Sequence, residues 1–166
     1  MISNKAQAWG FDLIIAGVIF MSGILLFYVY SINYPKESYE KLDQLFNEGE
    51  FMAEVLLSEG LPKYWNQENV VRIGLTSNKK INETKLEEFY YMTNSQEGYA
   101  KAKRLFNTRY NFFMKFSEEI IIEGNPIVEG GIGQNFEGHE VKNLAKITRV
   151  TAYQDKLISL DLYIWE

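Results

Sequence analysis

The sequence contains no cysteine and a single histidine, His139, among its 166 residues. Without cysteine the chain forms no disulfide and offers no thiolate for zinc, for an iron–sulfur cluster or for nucleophilic catalysis. One histidine also excludes a poly-histidine metal site within a single chain. Positively charged residues are fewer than negatively charged ones: 17 lysine and arginine residues and 22 acidic residues give a net charge of −5. This balance argues against nucleic-acid binding, which needs a basic face.

Charge is almost missing from the first 35 residues, where Lys5 and Asp12 are the only charged side chains. The apolar run that follows Asp12 is long enough for the roughly 20 residues that a helix needs to cross a bilayer core of about 30 Å. A cleaved secretory signal has a shorter apolar region and a small-residue cleavage site, and a buried core helix has a polar face. The run has none of these features, so the sequence predicts a transmembrane helix over residues 7–34.

The residues that lead into this helix read Asn-Lys-Ala-Gln-Ala-Trp-Gly-Phe-Asp over positions 4–12. They resemble the class III signal peptide of archaeal type IV pilin-like proteins. The resemblance implies a short leader over residues 1–6 and a processing site formed by Lys5, Ala6 and Gln7, cut between Ala6 and Gln7. It further implies that the helix stays on the mature chain and packs into a filament core. The resemblance is confined to the N-terminal helix and its leader.

Asp12 has two interpretations. Pilin-like proteins often carry an acidic residue at the fifth mature position, which meets the N-terminal amine of a neighbouring subunit; after a cut before Gln7, Asp12 is the sixth. This makes Asp12 an assembly candidate. A carboxylate near the start of a membrane helix also complements the positive end of the helix dipole without any partner, and both interpretations stay open.

Lys5 on the N-terminal flank favours a cytoplasmic N-terminus. We therefore expect a single-pass protein of the cell membrane with its C-terminal domain outside. In that location Asn82, in the only N-x-[ST] sequence of the chain, is a glycosylation candidate. Thr84 and Glu87 also fit a capping box, in which Thr84 begins a helix without any modification.

Residues 36–166 have the composition of a soluble α+β domain. Helical spacing predicts an amphipathic helix over 36–57, separated from the membrane helix by Pro35. A run of β-branched residues predicts a short strand over 70–75. The clearest β signal is the strict alternation in residues 156–165, which predicts the second strand of a hairpin over 143–165. The expected fold is thus a membrane helix that runs into an amphipathic helix, followed by a small head with an antiparallel sheet.

The head has no recognisable catalytic motif. Gly130 to Phe136 lacks the third glycine of a dinucleotide loop, and His139 with Glu137 and Glu140 is too small a ligand set for a metal. The remaining acidic residues of this region favour a solvated rim over acid–base catalysis: Glu118, Glu119 and Glu123. We therefore predict no catalytic, metal-binding or cofactor-binding residue and no cofactor.

Two functions fit these features. The first is a non-enzymatic pilin-like subunit, anchored in the lipid bilayer, that assembles with copies of itself or with other pilin-like subunits through its N-terminal helix. The second is a single-span tethered domain that binds a component of a membrane or envelope complex. No nucleic-acid partner is expected.

Overall fold

A computed structural model describes residues 5–33, 36–118, 120–122, 125–126 and 131–166. The helices in these ranges are α1 (Lys5–Asn33), α2 (Lys36–Leu56), α3 (Glu83–Thr93) and α4 (Gln96–Phe106). The strands are β1 (Thr76–Ser77), β2 (Lys80–Ile81), β3 (Asn111–Phe116), β4 (Ile121–Ile122), β5 (Asn125–Pro126), β6 (Ile132–Gly133), β7 (Leu144–Tyr153) and β8 (Lys156–Trp165). The chain divides into two compact units, residues 1–39 and residues 40–166, and we call the second unit the head. The expected α+β class is confirmed.

The apolar side chains of α1 are exposed on every side of the helix. All residues from 10 to 33 are exposed, with Leu13 at 75% and Phe27 at 72% of their full accessible surface. The hydroxyl of Ser22 donates to the carbonyl of Val18 at 2.8 Å. This bond satisfies a polar group inside the helix itself, as a helix in an apolar medium requires.

Within the head, α2 is amphipathic. Leu45, Met52 and Leu56 are buried on one side, whereas Asp43 and Glu54 are exposed on the other. Because α2 crosses the sheet closely at Gly49, a Cβ atom added there would overlap the side chain of Ile147. The helical spacing in the sequence therefore becomes a helix whose apolar face covers the sheet.

The main sheet has six strands in the order β1-β2-β7-β8-β3-β6. Its centre is antiparallel, because β8 pairs with β7 on one side and with β3 on the other. The sheet as a whole is mixed, since β2 joins β7 in the parallel sense at Lys80 and Ala152. The expectation of an antiparallel sheet is wrong at this edge. The direction of β2 is set by its tight turn from β1 through Asn78 and Lys79, both at positive φ, and not by a hairpin with β7.

The alternation of β8 is confirmed. Ile158, Leu160, Leu162 and Ile164 are buried on the inner face of the sheet, and Asp161 points to the other face with Ser159 and Tyr163. This burial of every second residue is the two-residue period of a strand with one face on a core. The hairpin thus supplies the central wall of the hydrophobic core.

Aromatic side chains from α3, α4 and β3 fill the core between the helices and the sheet. Phe112 is fully buried, and its ring centroid lies 6.1 Å from that of Phe89, 5.5 Å from Phe106 and 4.8 Å from Tyr99. The Tyr99 hydroxyl donates to the Phe112 carbonyl at 3.1 Å and accepts from the Phe112 amide at 2.8 Å. Burial raises the pKa of Tyr99 to about 12, although hydrogen bonds with the backbone of Phe112 and Gln134 oppose the rise.

The segment 70–75 is not a strand, contrary to the prediction. Ile73 and Leu75 are buried, as their apolar character required, but the segment makes a single bridge, between Leu61 and Arg72. Its other backbone bonds go to scattered positions: the amide of Leu75 donates to the carbonyl of Leu56, the last residue of α2, at 2.7 Å, and the amide of Val70 donates to the carbonyl of Asn66 at 3.1 Å. Burial therefore explains Val70 and Ile73 without a strand ladder, whereas Val71 is exposed.

Candidate functional site

Lys5, Ala6 and Gln7 lie in the first turn of α1, and Asp12 lies about two turns further along with an exposed side chain. The helical backbone therefore continues through the sequence that resembles a processing site. Cleavage between Ala6 and Gln7 and a role for Asp12 in assembly stay predictions.

One helix among the described residues is long and apolar enough to cross a membrane, and its span is Gly10–Asn33. Its 24 residues give a helix of about 36 Å, which exceeds the roughly 30 Å of a bilayer core. Such a helix is compatible with membrane anchoring. A signal sequence near an N-terminus meets the same criteria of length and composition.

Asn82, the glycosylation candidate, is the N-cap of α3. Its side-chain oxygen accepts from the Lys85 amide at 3.1 Å, and its Nδ2 donates to the Ser77 hydroxyl at 3.3 Å. Thr84 is therefore not the cap, because asparagine two positions earlier already satisfies the free amide of the first turn. The nitrogen that would carry a glycan is the one that donates to Ser77, and modification of Asn82 stays a prediction.

Lys85 is a buried cation that the sequence analysis missed. Its ammonium donates to the Glu59 carbonyl at 2.7 Å and to the Thr76 carbonyl at 2.8 Å, and the residue is 3% exposed. Burial lowers the pKa of Lys85, the charge of Glu59 opposes this, and Lys63 adds to it. The sequence did contain a signal for this burial. Lys85 lies one turn before Phe89 and two turns before Met92, on the buried face of α3. Lys85 thereby ties the segments before and after residues 60–75 together.

The acidic residues near the glycine-rich region that the structure describes have separate surroundings. His139 lies beside Trp165, with 5.3 Å between the ring centroids, and Glu118 forms an ion pair with Lys156 at 3.3 Å. No group of three potential metal ligands occurs in the described parts of the chain. Glu119, Glu123 and Gly130 lie outside those parts.

An open cleft of about 590 Å³ lies between α2 and the end of α4. We call it the cationic cleft, and its lining residues are Gln44, Glu48, Lys103, Arg104, Asn107, Thr108 and Arg109. The last turn of α4 supplies Lys103 and Arg104. Asn107 then adopts the left-handed conformation with φ of 55°, ends the helix and turns the chain so that Arg109 reaches the same cleft.

Hydrogen bonds to neutral groups hold two of the cations. Lys103 donates to the Asn111 side-chain oxygen at 3.0 Å, and burial lowers the pKa of Lys103. Arg109 donates to the Tyr110 hydroxyl at 3.0 Å and lies 5.0 Å from the centroid of that ring. The hydrogen bond to Tyr110 is the main cause that raises the pKa of Arg109.

The cleft carries three cations and one carboxylate, that of Glu48, which accepts a hydrogen bond from Thr108 at 2.6 Å. Among the described residues none of the three cations forms an ion pair. This excess of positive charge fits carboxylate or phosphate groups. The sequence analysis missed the cleft because basic residues in a last helical turn also complement the helix dipole, and Arg109 joins them only through the turn at Asn107.

Comparisons of the chain with protein-family models, with curated proteins and with solved structures found no match.

Proposed function

We propose that the chain is a membrane-anchored, non-enzymatic, pilin-like subunit with an extracytoplasmic head that assembles through its N-terminal helix. The observation that carries this proposal is the span Gly10–Asn33, a predominantly apolar helix whose 24 residues are all exposed. An exposed apolar surface of this extent is stable only when it is buried against an apolar partner. A lipid bilayer can bury it, and so can the helices of neighbouring subunits.

The start of α1 supports the pilin-like part of the proposal. Lys5, Ala6 and Gln7 match the short basic leader and the small residue that precede the cut in pilin-like proteins. Asp12 lies early enough in α1 to approach the amine of a neighbouring processed chain. Gly17 and Gly23 have open space around their Cα atoms, so that a second helix has room to approach.

The head supports a role without catalysis. A catalytic site needs a nucleophile, a base and a group that orients the base within hydrogen-bond reach of one another. In the described part of the head, the hydroxyls of Ser58, Thr76 and Thr93 donate to backbone carbonyls. Their bonds serve local structure. The Thr108 hydroxyl and the Glu48 carboxylate meet in the open cationic cleft at 2.6 Å, but the groups around them are cations and amides, which suit the cleft to binding charged groups.

The test is to express the full chain with a class III signal peptidase in membranes and to determine its mature N-terminus. We expect the mature chain to begin at Gln7 and to resist extraction from the membrane by alkaline carbonate. The variant Ala6→Trp removes the small residue before the cut and should stay intact. An uncut wild-type chain that begins at Met1 would refute the pilin-like part of the proposal, and release of the chain by carbonate would refute anchoring.

A tethered domain that binds one component of a membrane complex is the second candidate, and the unpaired cations of the cleft favour it. It requires anchoring by α1 but no processing. Crosslinking in membranes separates the two candidates, because a tethered domain gives one adduct with a different protein, whereas a pilin-like subunit gives a ladder of identical chains.

A further inference from the structure

The strand β7 leaves a long open edge on the main sheet. On one side β8 pairs with all ten of its residues, whereas on the other side β2 meets it only at Ala152. The strand order places no other described strand beside β7. Residues 144–150 therefore have a neighbouring strand on one side only, within the part of the chain that the structure describes.

Every second residue of this stretch directs its backbone groups to the open edge. Asn143 and Glu166 exchange amide-to-carbonyl bonds, which shows that Asn143 faces β8. Ser159 is the residue opposite Val150, but its carbonyl accepts from the amide of Ser117 on the far side of β8. Since the two directions alternate along an antiparallel ladder, the even-numbered residues of the stretch face the open edge. No hydrogen bond to their amides and carbonyls occurs among the described residues.

The side chains along this edge are apolar or already paired. Leu144 is 41% exposed and Val150 is 67% exposed, one at each end of the stretch. Between them, Lys146 forms an ion pair with Asp161 at 2.9 Å, and the Thr148 hydroxyl donates to the same carboxylate at 2.7 Å. Proteins usually protect a sheet edge with a proline, a bulge or a free charge. β7 has no proline and an unbroken register, and its one lysine is held against the sheet.

We propose that the head binds a second copy of this chain through this edge. The two β7 strands then run antiparallel about a two-fold axis at Ile147, and the two sheets become one. A two-fold contact uses the same segment of both copies, so the segment has to complement itself. This axis sets Leu144 opposite Val150 of the second copy and Lys146 opposite Thr148 of the second copy. Each even-numbered residue of the stretch thereby gains the backbone partner that it lacks within its own chain.

The charges and the position of β2 select this register. With the axis at Lys146, the two copies of Lys146 would face each other and repel. With the axis at Thr148, Leu144 would face Ala152 of the second copy, whose edge β2 already occupies. With the axis at Ile147, the exposed apolar side chains at the two ends of the stretch face each other, and no like charges are opposite. The occupant is therefore a second β7, because the segment complements itself in this register.

The helix on the inner face leaves room for this contact. A Cβ atom at Gly49 of α2 would overlap the side chain of Ile147 and lie 3.0 Å from that of Ile164, so α2 lies over both β7 and β8. Because neighbouring strands are about 4.8 Å apart, the joined sheets set the two α2 helices roughly 10 Å apart. This is a distance at which helices pack against each other.

The flank of α2 beside the open edge carries an exposed aromatic ring. Glu50 forms an ion pair with Arg149 of β7 at 2.9 Å, which marks the side of α2 that lies toward this edge. Phe46 lies one turn before Glu50 on the same side and is 47% exposed. A second α2 helix would bury this ring, and each Arg149 keeps its own Glu50. The contact lies within the head, so it is additional to assembly through α1 and does not depend on it.

The first experiment uses the absence of cysteine from the chain. It introduces Leu144→Cys together with Val150→Cys into the full chain in detergent. The proposed register brings the Cα atom at position 144 of one copy within about 5.5 Å of that at position 150 of the other, which a disulfide can bridge. We expect oxidation to give a disulfide-linked dimer. Either single variant should give about tenfold less dimer, because each position lies about 20 Å from itself across the axis.

The position of the link tests the register. Mass spectrometry of the digested dimer should find position 144 joined to position 150. Equal dimer yields from the single and double variants would mean random collision and would overturn the inference, and so would links that join each position to itself. In native membranes, a link from position 150 to a different protein in place of the dimer would assign the edge to that protein and would also overturn the inference.

The second experiment changes the edge itself in the variant that carries both cysteines. Thr148→Pro removes an amide that faces the open edge but no bond of the ladder between β7 and β8, and it should lower crosslinking about tenfold. Thr148→Val is the matched control, because it loses the same hydroxyl bond to Asp161 and keeps the amide. It should crosslink like its parent. Thr148→Lys places a like charge opposite Lys146 of the second copy and should also lower crosslinking about tenfold.

The lysine variant keeps the test valid if proline prevents folding of the head, which near-ultraviolet circular dichroism shows. Undiminished crosslinking in folded Thr148→Pro or in Thr148→Lys would overturn the inference. Neither experiment depends on cleavage before Gln7 or on retention in carbonate, so a failure here is distinct from a failure of the proposed function.

Discussion

The glycines of α1 and Gly74 in the head have opposite surroundings. A Cβ atom added at Gly10, Gly17 or Gly23 meets nothing within 4 Å. In the head, a Cβ atom at Gly74 would overlap the Gly60 backbone and lie 2.6 Å from the Ser58 carbonyl oxygen. The same residue type thus lies in open space in one region and in a tight backbone contact in the other.

This difference concerns the atoms that surround the apolar side chains of each region. The head buries its apolar side chains against its own helices and strands. Its interior is close-packed, so that even one added methyl group disturbs it. The apolar side chains of α1 are not buried in this way within the described chain. The residues of α1 from Gly10 on are exposed, whereas the atoms that surround Gly74 belong to the head itself.

The largest expected effect comes from truncating the centre of the aromatic core. Phe112→Ala should lower the free energy of unfolding of the head by about 3–5 kcal/mol, because it removes a fully buried ring and leaves a cavity. Phe20→Ala, at a site that is 67% exposed in α1, is the matched control and should change it by less than about 0.5 kcal/mol. Urea unfolding of the full chain in detergent, followed by tryptophan fluorescence, measures both. Similar losses for the two variants would contradict the contrast between the regions.

Gly74→Ala should destabilise the head by about 3 kcal/mol, because the new methyl group meets backbone atoms that have no flexible side chain to move. In α1, Gly17→Ala should leave unfolding of the head unchanged and raise the helix propensity by about 1 kcal/mol. Thermal unfolding monitored by near-ultraviolet circular dichroism tests the first effect. A Gly74→Ala head as stable as the wild type would show that Gly60 and Gly74 do not pack this closely.

Lys85→Met keeps the length of the side chain and removes its charge. We expect a loss of about 2 kcal/mol at neutral pH, because the carbonyls of Glu59 and Thr76 lose their donor. The pKa of Lys85 is lowered in the folded head, so the unfolded chain binds the proton more strongly than the folded one. The advantage of the wild type over Lys85→Met should therefore grow as the pH rises from the lowered pKa toward 10.5. Unfolding in urea across alkaline pH measures this, and a constant difference would contradict it.

The smallest effect concerns the outer face of the sheet. Burial of Asp161 favours its neutral form, but hydrogen bonds from Lys146 and Thr148 outweigh this and lower its pKa below the ordinary value of 3.8. Its stabilisation, under about 1 kcal/mol, is present above pH 3.8 and is lost as the pH falls through the lowered pKa. The advantage over Asp161→Asn should disappear in acid. Asp155→Asn, at a fully exposed carboxylate, is the control, and an equal acid response of both variants would contradict the prediction.

Periodicity predicted the elements whose pattern is long. The two-residue alternation of β8 and the helical spacing of α2 were sufficient because each pattern repeats over several residues. Two short features escaped. Residues 70–75 are as apolar as a strand, yet their backbone bonds go to separate positions from Leu56 to Asn82 and form no strand ladder. Thr84 fits a capping box that Asn82 makes unnecessary.

Sequence patterns could not predict the cationic cleft. Gln44 and Glu48 are more than 50 residues away from Lys103, Arg104 and Arg109 in the sequence, and only the packing of α2 beside α4 brings them to one cleft. Lys85 was missed for a related reason. Its partners are backbone carbonyls, which every residue has, so no residue type in the sequence marks them.

The sequence by itself determined that a long apolar helix precedes an acidic α+β head without cysteine, because length, composition and period are local properties. Only the tertiary structure decided the mixed sheet, the buried ammonium of Lys85 and the positive cleft on an acidic protein. These features depend on which distant segments meet. That choice is made by the sum of many weak packing contacts, and no single stretch of sequence contains it.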